Sequence, residues 1–218
     1  IFAYRLTDFS HLTIATPASG AGVIRMQPRV SGNLVVWAEG TNSMNSMNIY
    51  AHDLGAGRTF PVCTHAAQQE HPAVSGNVIV WADTRNRSGS ESSLYDIYGY
   101  EVSSSSEFRI TRQPEAVGGP AISGNTVVWY AQRDREYRLL ALDLTTGKET
   151  IIANLGFEPA LTGFDVDGDM VVWSVQATLA YGDADIYGYD LTKKEHFTIC
   201  RAVGHQVWPS IAGRTVVW

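Results

Sequence analysis

The stretch PAVSGNVIVW, residues 72–81, decides the fold because it is one of five. Ungapped counterparts stand at 28–37 (PRVSGNLVVW), 120–129 (PAISGNTVVW), 164–173 (FDVDGDMVVW) and 209–218 (PSIAGRTVVW). Their last residues are Trp37, Trp81, Trp129, Trp173 and Trp218, spaced by 44, 48, 44 and 45 residues. Self-similarity at such a period is the mark of a repeat architecture. Each copy reads as a β-hairpin. Gly32, Gly76, Gly124, Gly168 and Gly213 hold the same turn position, which predicts a left-handed backbone there. The second strand of each hairpin is apolar at consecutive positions, so it is expected to be covered on both faces.

A second motif alternates with the first: IFAYRL (1–6), IYAHDL (49–54), IYGYEV (97–102), LLALDL (139–144) and IYGYDL (186–191). A polar turn and another apolar run follow each copy, for example HLTIAT (11–16) and HFTIC (196–200). Each unit therefore holds four strand candidates and no helical period. Four strands in about 45 residues, repeated, is the pattern of a β-propeller blade. A solenoid is the competing geometry, but its repeats are shorter and do not carry two hairpins each. The sequence starts on a third strand and ends on a second. Four units are continuous, at about 27–64, 70–111, 119–153 and 164–200, and 209–218 with 1–16 would make a fifth, split blade. The expected fold is all-β: a single five-bladed propeller over 1–218, its ring closed by that split blade. A fragment of a six- or seven-bladed ring is the alternative.

Composition narrows the partners. The chain has 218 residues, 44% apolar and 17% charged, which suits a packed core. Its net charge is −6, and Lys148, Lys193 and Lys194 are the only lysines. Nucleic acid is not an expected partner, because a phosphate surface needs clustered positive charge. No apolar run approaches ~18 residues, so membrane insertion is not expected. Ile1 is not an initiator Met, and the sequence reads as a processed or trimmed product. Cys63 and Cys200 are too few for a disulfide framework and read as buried, unpaired hydrophobes.

The signature P-x-[IV]-S-G-x-x-V-V-W followed by D-I-Y-x-Y-D-L resembles a family of repeats in surface-layer and secreted proteins of archaea and bacteria. It is similar, more distantly, to the repeats of TolB-type propellers. The resemblance runs over essentially the whole chain and is strongest at 70–112 and 182–200. It implies an extracellular or cell-envelope propeller, often one module of a larger protein. It brings no catalytic residue set.

Several polar groups carry alternatives. Asp83, Arg85 and Asp96 suit an ion-paired loop lock better than a ligand site, because Asp185 and Asn48 recur at the position of Asp96. Asp165, Asp167 and Asp169 suggest calcium, but Gly168 and Gln176 fall wrongly for an EF-hand loop, so an acidic hairpin turn is expected. His65, His71 and His205 would need to converge to hold zinc; polar loop histidines are the plainer reading. No metal and no cofactor are expected.

The expected function is a non-catalytic binding or interaction module for a protein or glycan, working as a monomeric unit. The loops that join second to third strands and those linking blades open on one face, and their sequences vary while the Gly turns opposite do not. Residues at the innermost-strand entries are the site candidates: Arg25, Gln27, Glu70, His71, His205, Gln206 and Trp208. Together they suit a polar ligand with one apolar face. The alternative is a carbohydrate-active enzyme, a glycoside hydrolase or lyase, with acids at the channel mouth. It would need two facing carboxyls, and only Glu70, Glu115 and Glu158 are near.

Overall fold

The computed structural model describes residues 1–15, 22–41, 47–87, 94–157, 161–176 and 183–218. They form strands throughout, with no helix among the described residues. The chain separates into two compact units, Ile1–Pro114 and Glu115–Trp218.

The first unit opens with a hairpin of β1 (Phe2–Arg5) and β2 (Ser10–Thr13). A four-stranded antiparallel sheet follows: β3 (Val23–Ser31), β4 (Leu34–Thr41), β5 (Asn48–Asp53) and β6 (Arg58–Cys63), paired in chain order. A second sheet repeats this with β7 (Gln69–Ser75), β8 (Val78–Asp83), β9 (Asp96–Glu101) and β10 (Ser106–Arg109). The second unit holds two further sheets. One is β11 (Ala121–Ser123), β12 (Thr126–Arg133), β13 (Glu136–Asp143) and β14 (Lys148–Gly156). The other is β15 (Leu161–Asp167), β16 (Met170–Gln176), β17 (Ala184–Asp190) and β18 (Glu195–Cys200). This unit ends with a hairpin of β19 (Ser210–Ala212) and β20 (Thr215–Val217). Four blades are thus complete as four-stranded sheets. The residues expected to share a split blade form two separate two-stranded hairpins, one in each unit.

The SGN-type turns explain themselves in this frame. Ser75 pairs with Val78 and Ser123 with Thr126, leaving two-residue loops whose first residue is Gly76 or Gly124 at φ +54° or +55°. A Gly with positive φ at the first central position is what a II′ hairpin requires. The residue before that Gly ties neighbouring sheets together. Ser31 Oγ accepts the Gly76 N–H at 3.1 Å, Ser123 Oγ accepts the Gly168 N–H at 2.9 Å, and Asp167 Oδ2 accepts the Gly213 N–H at 2.6 Å. The acidic run therefore serves packing. Asp165 also accepts Ser210 Oγ and the Ile211 N–H, and Asp169 accepts Thr192 Oγ1.

The second strands of the complete sheets are buried on both faces, with Val36, Trp37 and Ala38 in β4 and Ile79 through Ala82 in β8 at most 1% exposed, whereas β20 is open, with Val217 60% exposed. Three of the repeat Trp stack on an aromatic of the third strand. Trp37 stacks on Tyr50, Trp81 on Tyr98 and Trp173 on Tyr187, with centroids 6.0–6.2 Å apart. Such pairs add about 0.5–1.5 kcal/mol beyond area burial. In the third sheet Leu140 faces Trp129, and the stack moves one residue on, to Tyr130 and Tyr137. The Gly of Ile-Tyr-Gly-Tyr has a local cause as well. Gly99 pairs with Phe108 and Gly188 with Phe197, and each ring lies over the bare Cα.

Candidate functional site

The candidate residues of the first unit lie inside the innermost strands, β3 beginning at Val23, four residues before the expected entry at Gln27. β3 and β7 each carry a bulge there, between Met26 and Arg29 and between Glu70 and Ala73. Gln27 and His71 occupy the bulges at φ +56° and +52°, each just before a proline. In the second unit Trp208 precedes Pro209 at φ +58°. Non-glycine residues held in this region cost on the order of 1–3 kcal/mol each and persist where their surroundings over-determine them.

For Gln27 and His71 the surroundings are visible. Gln27 Oε1 accepts the His71 backbone N–H at 2.8 Å. That fixes the amide, so its Nε2 faces His71 Nδ1, also at 2.8 Å, and donates to it. Nδ1 is then an acceptor and the imidazole proton resides on Nε2. Burial pushes the His71 pKa down, Glu70 opposes this, and Arg29 adds to it. The result is a neutral imidazole seated between two sheets.

The other candidates have separate engagements. Arg25 Nε reaches Glu39 Oε2 at 2.5 Å. Glu70 accepts Gln68 Nε2, and Tyr95 Oη at 3.1 Å, while the Arg87 guanidinium lies 4.3 Å over the Tyr95 ring. In the second unit Gln206 is buried; its N–H donates to Ala184 O at 2.8 Å, and its Oε1 has no hydrogen-bond partner among the described residues. His205 is exposed. Trp208 is 74% exposed, with its Cα so close to Gly163 that a Cβ there would lie 3.1 Å away. The structure thus joins Gln27 to His71 within the first unit and places Gln206 and Trp208 in the second. His65 caps its own loop, accepting the Ala67 N–H at 3.2 Å. Among the described residues no group of three or more His, Cys, Asp or Glu side chains is placed to hold a metal ion.

The acids near the strand entries are mostly committed to arginine and to a Trp indole, an arrangement of which sequence reading gave only the Asp83–Arg85 pair. Trp81 Nε1 donates to Asp83 at 3.0 Å, and Arg85 Nη2 binds the same carboxylate at 2.7 Å. Trp37 and Arg25 share Glu39 in the same way. In the third sheet Glu115 accepts Trp129 Nε1 at 3.1 Å and Arg133 at 2.7 Å through both oxygens. Burial works against the Arg85 charge, but hydrogen bonds to Asp83 and Glu107 outweigh it and raise its pKa above the usual value. Glu149 and Glu115 do the same for Arg133. Asp96, fully buried, holds Arg109 at 2.7 Å and Thr111 at 2.8 Å, and it locks the loop by accepting Asn86 Nδ2 at 2.7 Å. Glu158 lies outside the described residues. Cys63 and Cys200 are free thiols, and burial pushes the Cys63 pKa up to about 11.

The sheets, their order and their internal latches define a β-propeller, and solved structures agree. The chain is similar to a TolB from Agrobacterium tumefaciens at 16% identity, covering 94% of this chain and 71% of that one, with a TM-score of 0.63. It is similar to TolB from Acinetobacter baumannii at 14% identity over 78% of this chain, spanning 42% of that protein, with a TM-score of 0.56. An oligogalacturonate lyase in complex with manganese matches at 10% identity, 92% and 59% coverage, and a TM-score of 0.60. No family model and no curated protein matches the sequence. At these identities the likeness establishes the fold and nothing finer.

Proposed function

We propose that this chain is a non-catalytic binding module, a five-bladed propeller of the cell envelope or extracellular space. In this reading β19 and β20 serve as first and second strands of the fifth blade, and β1 and β2 as its third and fourth. The register of the first complete sheet, where Val36 faces Ala51, would set Val217 opposite Ala3. Cysteines placed at these two positions should then cross-link within one chain under oxidation, and a pair that stays reduced would refute the closure. The envelope assignment rests on the repeat resemblance.

The observation that carries the binding reading is the shared left-handed conformation of Gln27, His71 and Trp208. Two innermost strands carry a costly backbone state at a bulge and a third follows one, and these positions present an amide, a neutral imidazole and a 74% exposed indole. A polar ligand with one apolar face, a glycan or an extended protein segment, suits that set. The hydrolase reading draws no support from the carboxylates, since Glu115 is clasped by Arg133 and Trp129, and Glu70 by Gln68 and Tyr95. The test is a glycan and peptide binding screen of the wild type against a His71→Ala, Trp208→Ala double variant. Loss of a detected ligand in the variant supports this site; equal binding moves the site elsewhere.

A further inference from the structure

Three of the four complete blades set a Trp, an acid and an arginine against one another, and the fourth departs from the pattern. Trp37 Nε1 donates to Glu39, Trp81 Nε1 to Asp83 and Trp129 Nε1 to Glu115, at 3.0–3.1 Å. Each of these carboxylates also holds a guanidinium, that of Arg25, Arg85 or Arg133. In the second sheet the Arg85 guanidinium lies 4.0 Å over the ring of Tyr98, on which Trp81 stacks. The fourth sheet keeps two of the three members. Trp173 stacks on Tyr187, and the Arg201 guanidinium lies 5.4 Å over that ring. The acid is the missing member. Val175 stands two residues after Trp173, where Glu39 and Asp83 stand two after Trp37 and Trp81.

Nothing else among the described residues takes the place of that acid. The Trp173 indole N–H has no hydrogen-bond partner there, and the Arg201 guanidinium has no carboxylate. Asp185 stands opposite Val175, but its carboxylate accepts the Tyr187 hydroxyl at 3.2 Å and reaches neither Trp173 nor Arg201. The space is open. Trp173, Val175, Tyr187 and His196 form one wall of a cleft of about 460 Å³, and β14 from Ile151 to Leu155 forms the other. In the first unit the corresponding space is crossed by Arg85, which donates to Cys63 Sγ of β6 at 3.0 Å. His196 adds a further ring N–H to the cleft in either tautomer.

We infer that this cleft is a carboxylate receptor: a glutamate or aspartate side chain of a partner protein enters it and completes the clasp, accepting the Trp173 N–H and pairing with Arg201. The occupant is selected by the other blades, in which a glutamate or aspartate side chain fills this role three times. Charge selects it as well. A basic side chain would meet Arg201 with no acid to share, and a neutral one would leave the guanidinium unpaired. An ionised acceptor makes the stronger hydrogen bond with both donors. The stem of the acidic side chain meets Val175 and the Tyr187 ring. This site is separate from the candidate site at His71 and Trp208 and stands on its own observations.

The test begins with selection of a random 12-residue phage-displayed library on the full chain, followed by synthesis of the selected peptides. The expected result is a shared Glu or Asp whose replacement by Gln or Asn lowers affinity about tenfold or more, the ordinary worth of a hydrogen bond to a charged group. Arg201→Met should lower it as much; Arg201 is exposed, so this variant keeps its fold. In NMR spectra the indole N–H resonance of Trp173, assigned with Trp173→Phe, should move on binding while those of Trp37, Trp81 and Trp129 stay. Val175→Glu supplies the acid from within, as Glu39 does for Trp37. It should bind none of the peptides and show the shifted resonance without them. The His71→Ala, Trp208→Ala variant should bind the same peptides as the wild type, so failure of either site is read apart from the other. Selection of no peptide, peptides that share no acid, affinity unchanged in Arg201→Met, or a Trp173 resonance that stays in place overturns the proposal. Movement of that resonance in peptide-free Glu158→Gln would mean that the chain completes its own clasp, and a response to trigalacturonate but to no peptide would make the occupant a uronate; either result overturns it equally.

Discussion

Replacing Asp83 by alanine tests whether the Trp–carboxylate–Arg clasp holds the second sheet together. The Asp83 carboxylate is fully buried and accepts three hydrogen bonds: from Trp81 Nε1 at 3.0 Å, from the Arg85 N–H at 2.8 Å and from Arg85 Nη2 at 2.7 Å. Its removal strands a buried indole N–H, which alone costs about 1–3 kcal/mol. It also removes one partner of a buried ion pair, for which the cost is about 3–5 kcal/mol. These penalties overlap. Arg85 keeps Glu107 at 2.6 Å and is 13% exposed, so part of its charge remains balanced. The lower part of the range, about 3 kcal/mol, is therefore expected. Urea unfolding followed by tryptophan fluorescence gives the number, provided the m-value matches the wild type. Glu136→Ala, which breaks the half-exposed pair with Arg138, is the control and should cost less than about 1 kcal/mol. Asp83→Asn retains an oxygen for Trp81 and should fall between the two. If Asp83→Ala unfolds within about 1 kcal/mol of the wild type, the clasp does not stabilise the sheet and the reasoning fails.

Gly99→Ala should lose about 1–3 kcal/mol, because a Cβ there would come within 2.6 Å of Phe108 Cε2. The same change in a Phe108→Ala background should cost nothing, and an equal loss in both backgrounds would show that the ring is not the cause. For His71 the folded-state pKa is depressed, chiefly by burial, below the ordinary 6.5. Its contribution to stability is therefore whole above the unfolded value and is lost as pH falls through the folded one, because the unfolded chain takes the proton first. Imidazole titration by NMR should place His71 below 6.5. Stability lost between neutral and acid pH should shrink in His71→Gln, and an unchanged loss would remove the argument.

How much of this could be read from residues alone follows from which contacts are local in sequence. The two-residue Gly turns, the doubly buried second strands and the four-strand unit all depend on neighbours, and five aligned copies made them legible. Of the Trp–carboxylate–Arg clasp only the Asp83–Arg85 pair was legible, because those two residues lie two apart in the chain, while the part played by Trp81 was not. Elsewhere the same chemistry is assembled from distant parts. Arg25 reaches Glu39 across β3 and β4, and Glu115 comes to Trp129 from 14 residues upstream. The repeat keeps the position of the charge and lets the backbone site that supplies it wander, so no spacing rule finds it. The candidate site shows the opposite limit. Gln27, His71 and Trp208 were placed at strand entries by their proline neighbours, and an X-Pro pair ordinarily implies an extended first residue. The left-handed backbone at Gln27 and His71 belongs to the bulges of β3 and β7, and what holds it for His71 is an amide 44 residues away on the neighbouring blade. A conformation selected by another blade is not encoded within its own, which is why the strain at His71 could not be read from its own repeat. The same logic isolates the fourth sheet: only when three clasped Trp residues are seen side by side does the unclasped Trp173 become a departure that needs a cause.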